Sequence, residues 1–392
     1  PESHPMTEKL YWSDPHLTSF EASRLTLAEY DGKPSVILDR TLFYPEGGGQ
    51  LGDTGSLHLF GGGRGLPRTR LMLYVDDTQI DDAGRIHHIL ERPPAEDLRR
   101  AAEVSLVVRG SIDVARRRDH MVQHTAQHAL SRALADVAHA ETVSARLGAT
   151  SCTIDVTRAA IPDVELHCAE DLVNTLVASD VPVRALCPTP EELAKLPLRK
   201  QPKVTEGVVR VIDIDGFDLT PCGGTHCTRT GQIGQARIVG VERYKGMLRI
   251  TFHAGSRALA DARAKHEALA RIAADLTCGV PEVPGAVSKL RAELKAARAQ
   301  LEAARTELSE LVARGALDRL PPEGARPGPT ILPLLREDHD VGALRLVAGK
   351  LAADPRVVAL VGGIDPTSGE LVVVIQRGAN GKLDCGAFLQ TQ

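Results

Sequence analysis

Two short segments far apart in the chain constrain its fold more than any other feature. His124-Thr125-Ala126-Gln127-His128 lies in a stretch where Met121, Ala126, Leu130, Ala133, Leu134 and Val137 recur at helical spacing. Residues four apart on a helix lie one turn above each other, so both imidazoles can reach one point. Pro221-Cys222-Gly223-Gly224-Thr225-His226-Cys227 offers a second pair at the same spacing, on a glycine turn. Its two glycines let the backbone fold tightly enough for a thiolate and an imidazole to converge. Packing alone does not explain that pattern, so the fold must bring a helix near residue 124 to a turn near residue 222. Three imidazoles and a thiolate suit one zinc ion per chain, held by His124, His128, Cys222 and His226. Cys227 competes with Cys222 for the thiolate place, and the spacing favours Cys222. Thr125 stands where a zinc protease carries its glutamate base, which excludes peptide hydrolysis by that route. Four protein ligands usually mark a structural ion, so catalytic and structural roles both stay open.

The 392 residues exceed one ordinary domain, and 43% of them are hydrophobic, enough to build cores. We expect an α+β multidomain chain in four parts. Residues 1–92 alternate apolar and polar positions between Gly and Asp turns and read as a small β-barrel. Residues 93–256 mix helices and strands and hold the metal motifs. Residues 257–320 turn to Ala, Arg, Glu and Leu, with Val283, Val287, Leu290, Leu294, Ala297, Leu301, Ala304, Leu308 and Leu311 on one helical seam. That seam reads as a coiled coil or helical hairpin that could help the chain form a homodimer over residues 283–311. Residues 321–392 begin with a Pro/Gly linker and close with a small α/β unit. Gly61–Gly65 lacks the Lys-Ser/Thr of a phosphate loop and reads as a hairpin tip.

Net charge is −4, so contact with nucleic acid has to use local basic patches. One Trp, five Tyr and six Phe are too few for an extended base-stacking platform. Seven cysteines do not make a disulfide scaffold, and no apolar run approaches the roughly 20 residues of a membrane span. No signal-peptide pattern opens the chain, and we place the protein in the cytoplasm.

At these residues the sequence resembles the editing domain of alanyl-tRNA synthetases and the related AlaX proteins. Residues 41–55, Thr-Leu-Phe-Tyr-Pro-Glu-Gly-Gly-Gly-Gln-Leu-Gly-Asp-Thr-Gly, resemble the family's Gly-Gly-Gln loop. The two metal motifs resemble its zinc motifs, and Gly246–Ile250 with Phe252–Gly255 resemble the strand that closes its core. The C-terminal parts resemble the synthetase's coiled coil and DHH-associated domain, without the later Gly-rich basic stretch. The resemblance implies a long freestanding factor that hydrolyses the ester of a mischarged amino acid on tRNA(Ala). Seryl-tRNA(Ala) would be the main substrate and glycyl-tRNA(Ala) a further one. Thr41 and Gln50 are the candidates for reading the serine hydroxyl. Gly47, Gly48 and Gly49 would admit the adenosine end, and Arg116, Arg117, Arg118 and Arg249 would meet tRNA phosphates. Two alternatives stand beside this: an editing hydrolase for another mischarged tRNA, and a non-catalytic tRNA-binding zinc protein.

Overall fold

The computed structural model describes residues 7–61, 69–92, 106–202, 208–322, 328–336, 340–364, 369–380 and 384–386. The hairpin tip at 62–65, the centre of the linker at 323–327 and a turn at 365–368 lie outside the described residues. Among the described residues, seven α-helices and five sheets give a mixed α+β architecture, and the chain divides into two compact units, residues 1–266 and 267–392. None of these helices is long and apolar enough to cross a membrane.

The first unit opens with a seven-stranded antiparallel sheet. Its spatial order is Ser19–Ala22, Leu106–Ile112, Gly55–Gly61, Thr69–Ile80, Ile86–Leu90, Lys33–Leu38 and Leu25–Tyr30. Alternation places Val36, Leu38, Leu57, Leu59 and Val108 in one buried core. The two end strands share no ladder among the described residues, so the expected barrel appears as an open sheet. Residue 92 does not bound this sheet. The strand Leu106–Ile112 pairs with both Ser19–Ala22 and Gly55–Gly61 and carries the sheet to the start of the next helix.

That helix, Val114–Ala138, starts where the Asp113 side chain accepts the Arg116 amide at 3.0 Å. It ends at His139, in the left-handed region with φ 49°. With the helix Asp163–Ala178 it buries Ala126, Leu130, Ala133, Leu134, Leu166 and Val173 in the unit's second core. The same core takes Ile154, Ile250 and Phe252 from a four-stranded antiparallel sheet, Thr142–Leu147, Cys152–Val156, Met247–Ala254 and Ala236–Tyr244. A three-stranded sheet, Val183–Leu186, Val211–Ile214 and Asp218–Pro221, leads straight into the turn at 222–227.

The second unit has its own core. Strands Thr330–Leu335 and Val357–Ile364 are parallel, Leu371–Arg377 is antiparallel to the latter, and the helix Val341–Leu351 packs on them. Leu344, Val347, Leu351, Val357, Ala359 and Val361 meet Ala313, near the end of the helix Val283–Leu317. Pro284 sits in that helix's first turn, where its missing N–H leaves no hydrogen bond unmade.

Candidate metal centre

His124, His128, Cys222 and His226 come together with all four donor atoms within 4.8 Å of one another. The Cys222 Sγ lies 3.4 Å from the Nε2 of both His124 and His226. A tetrahedron with zinc-like bond lengths has nitrogen–sulfur edges of roughly 3.5 Å, so this spacing suits such an ion. Each imidazole also has its outer nitrogen engaged. Nδ1 of His124 meets the Gln50 Oε1 at 2.8 Å, that of His128 meets the Asp218 Oδ2 at 3.2 Å, and that of His226 meets the Thr125 Oγ1 at 3.3 Å. Partners of this kind fix ring orientation and leave Nε2 for a metal, so the residues present fit one.

Electrostatics agree. Burial alone would push the Cys222 thiol up, yet the neighbouring His124 and His226 hold it well below its ordinary range. Burial and the nearby His124 push His226 well down, toward the neutral ring that ligates metals. Burial opposes charge on His128 too, but its hydrogen bonds to Asp218 and Cys222 win and raise it to about 9. Asp218 is buried, and His128 and Arg199 hold its carboxyl well below the usual range. Arg199 grips that carboxylate, its Nε lying 2.6 Å from Oδ1. Cys227, the competing cysteine, stays outside the cluster. Its amide donates to the Thr125 Oγ1 at 3.0 Å, and burial lifts its thiol to about 11. Thr125 thus orients the turn from the helix.

The glycine loop closes the site from the first sheet. Gly47 and Gln50 exchange backbone hydrogen bonds, and the Gly49 carbonyl accepts from the Leu147 amide at 2.7 Å. Gly49 has φ +89°, and a Cβ there would meet the Ala145 carbonyl oxygen at 2.5 Å, so no other residue fits. Gln50 is fully buried, and both ends of its amide are engaged. Besides His124, Oε1 accepts from the Thr225 amide at 3.1 Å, and Nε2 donates to the Thr225 Oγ1 at 2.9 Å. Gln50 therefore braces the donor cluster, and its amide is already engaged on the protein at both ends. Thr41 is also fully buried, with Oγ1 2.8 Å from the His88 Nε2.

Beside the cluster opens a cleft of about 820 Å³. His124, His128 and Cys222 lie on its floor, with Gly48, Gly49, Thr142, Arg210 and Gly223 among its walls. Arg210 is buried and clamps the metal turn, donating to the carbonyls of Cys222 at 3.0 Å and Gly224 at 2.7 Å. Thr142 Oγ1 is buried with no hydrogen-bond partner. Lys9 and Trp12 line the same cleft, and the Trp12 Nε1 donates to the Gly223 carbonyl at 3.2 Å.

The arginine run separates by helical phase. Arg117 is only 2% exposed and pairs with the fully buried Asp53, also donating to the carbonyls of Leu42 and Pro15. It holds the glycine-loop segment and is closed to a phosphate. Arg116 is half-buried, its Nε donating to the Gly52 carbonyl at 3.0 Å, and Arg118 is exposed. Arg249 forks onto Asp155 at 2.7 and 2.9 Å and lies 3.5 Å over the Tyr244 ring, so it serves the second sheet. Asp218, Thr125, Arg199, Arg210, Trp12 and Thr142 are the site residues that sequence reasoning missed.

Residues 209–251, which include Cys222 and His226, match the family model described as "Threonyl and Alanyl tRNA synthetase second additional domain". The alanine–tRNA ligase of Korarchaeum cryptofilum is 32% identical over 398 residues, covering 99% of this chain and 41% of the relative. That of Methanopyrus kandleri is 31% identical over 383 residues, covering 96% and 40%. That of Thermofilum pendens is 34% identical over 309 residues, covering 74% and 32%. The chain thus spans less than half the length of these relatives. With these matches the chain is AlaX-like: nearly all of it is similar to part of alanyl-tRNA synthetases, and residues 209–251 match the second additional domain.

Proposed function

We propose that the chain removes a wrongly attached amino acid from tRNA(Ala) by hydrolysing its ester, with serine first and glycine second, at a zinc site. The observation that carries this reading is the open cleft along the four-donor cluster, walled by the glycine loop. When bound, zinc there would orient the ester or a water and stabilise developing negative charge. The chain's own residues do the rest. Gln50, Asp218 and Thr125 fix the three imidazoles, and Arg210 holds the turn that carries Cys222. Gly48 and Gly49 let the ester approach the backbone. We place Thr142, whose hydroxyl has no partner in the cleft wall, against the serine side chain. An alanyl ester would leave that hydroxyl unpaired, and this difference favours serine. Arg118 is our choice for a tRNA phosphate, with Arg116 beside it. Within the chain we keep the four-part division, with the first boundary moved to follow Ile112.

Seryl-tRNA(Ala) incubated with the protein should deacylate, and a chelator should stop it. A panel of other mischarged tRNAs separates the alanyl from the threonyl system. The closed set of four donors favours a second reading, a tRNA-binding protein with a structural ion. Under that reading His124→Ala leaves deacylation unchanged, whereas ours requires it to collapse while folding, checked by circular dichroism, persists.

A further inference from the structure

Trp12 is the sole tryptophan of the chain, and it stands in the wall of the metal cleft. Its position is built. The pair of short strands Glu8–Lys9 and Arg40–Thr41 delivers the helix Leu10–Ser13 to the cleft edge. The indole packs against the cluster of Tyr11, Tyr44 and Ile86, and its N–H is tied to the Gly223 carbonyl, next to Cys222. Half-buried and held in this way, the ring is a fixed flat surface beside the metal donors. Besides the His124 and His128 imidazoles, it is the one aromatic side chain among the residues lining the cleft. Lys9 lies in the same wall, its Nζ over the indole at 4.8 Å from the centroid, so it would swing aside for a base to stack there.

The glycines near it sharpen the point. A Cβ on Gly223 would meet nothing within 4 Å, and its φ lies outside the left-handed region. Neither its fold nor its neighbours thus demand glycine at 223. Gly48, also in the cleft, has open space where a Cβ would stand, although its φ of +59° already calls for glycine there. Bare backbone and a fixed indole on one cleft suit a planar ring that lies close to the chain.

We propose that Trp12, with the bare backbone at Gly48 and Gly223, forms a slot that stacks the terminal adenine of the tRNA acceptor end, with Lys9 beside its phosphate. This rests on the function proposed above and adds where the nucleoside lies. Base–aromatic stacking tolerates any base and needs no hydrogen-bond code, which suits an end common to all tRNAs. The slot explains why a chain so poor in aromatics spends its one tryptophan here.

Because Trp12 is the only tryptophan, its fluorescence reports the slot directly. Uncharged tRNA(Ala) should quench it in a saturable way, and the same tRNA lacking its terminal adenosine should not. Gly223→Ala should abolish the quench while leaving emission of the free protein, circular dichroism and metal content unchanged. Trp12→Ala should raise KM for seryl-tRNA(Ala) about tenfold with kcat kept, and Trp12→Phe should recover most of the loss. Equal quenching by intact and truncated tRNA, no quenching at all, or an unchanged KM in Trp12→Ala would overturn the slot. Terminal-adenosine-dependent quenching without deacylation by the native protein would leave the slot standing and reject the hydrolase instead.

Discussion

Asp218 shows how one side chain tunes the centre. It accepts from His128, is gripped by Arg199 and is fully enclosed. Partners behind metal-binding histidines are commonly worth ten- to a hundredfold in affinity, so Asp218→Asn should weaken zinc binding by about that factor. Competition with a chromophoric chelator measures it, and unchanged affinity would show that His128 does not need the carboxylate. The same pair sets a pH response in the metal-free chain. His128 is raised from 6.5 to about 9 on folding. A raised folded value means that the protonated ring stabilises the fold in full below pH 6.5, and that this contribution fades as pH climbs through 9. The melting temperature of the zinc-stripped protein should therefore fall across that window. With the ion bound the ring is already deprotonated, so this part of the slope disappears. Coincident melting profiles with and without zinc would refute the assignment. The sequence displayed the four donors because their spacing is local. It hid Asp218 and the role of Gln50 because those contacts join residues 90 and 74 positions apart. Arg117 was legible in principle: Arg117, Met121, His124 and His128 fall at steps of four, three and four, the buried stripe of one helix.

At the level of elements, the turn at 222–227 and the loop at 46–50 are shaped by close approach. A Cβ on Gly224 would meet the His124 Cε1 at 2.2 Å and the Gln50 Oε1 at 3.0 Å. Gly224→Ala should displace the imidazole and cut zinc content well below one ion per chain, while circular dichroism keeps the native helix signal. Full zinc occupancy in that variant would show that the turn can shift without loss. Helices and the longer strands were readable from periodicity: the helical spacing of Met121 to Val137 falls within the helix Val114–Ala138, and Met247–Ala254 alternates strictly in burial. The strand Leu106–Ile112 was not. Its seven residues carry no signal for which sheet they join, and its partners, Ser19–Ala22 and Gly55–Gly61, are both distant in sequence.

Across the whole molecule, two units are each provided with a core, yet the helix Val283–Leu317 leaves Leu290, Leu294, Leu301, Leu308 and Leu311 about half exposed. A seam of this kind is a liability for a solitary chain. We propose that a second copy covers it. Leu294→Glu with Leu301→Glu should then reduce the sedimenting mass from two chains to one at micromolar concentration, leaving the second unit's melting unchanged. A native chain that sediments as a monomer would dismiss the proposal. The first unit carries a different lesson, for anyone dissecting the protein into pieces. A fragment cut to begin at Asp113 would include every donor atom, yet it would lack the carboxamide that steers His124 and spaces the turn at Thr225. The smallest piece able to seat an ion correctly has to start upstream of the opening sheet, so trimming by motif content alone would discard half of the socket.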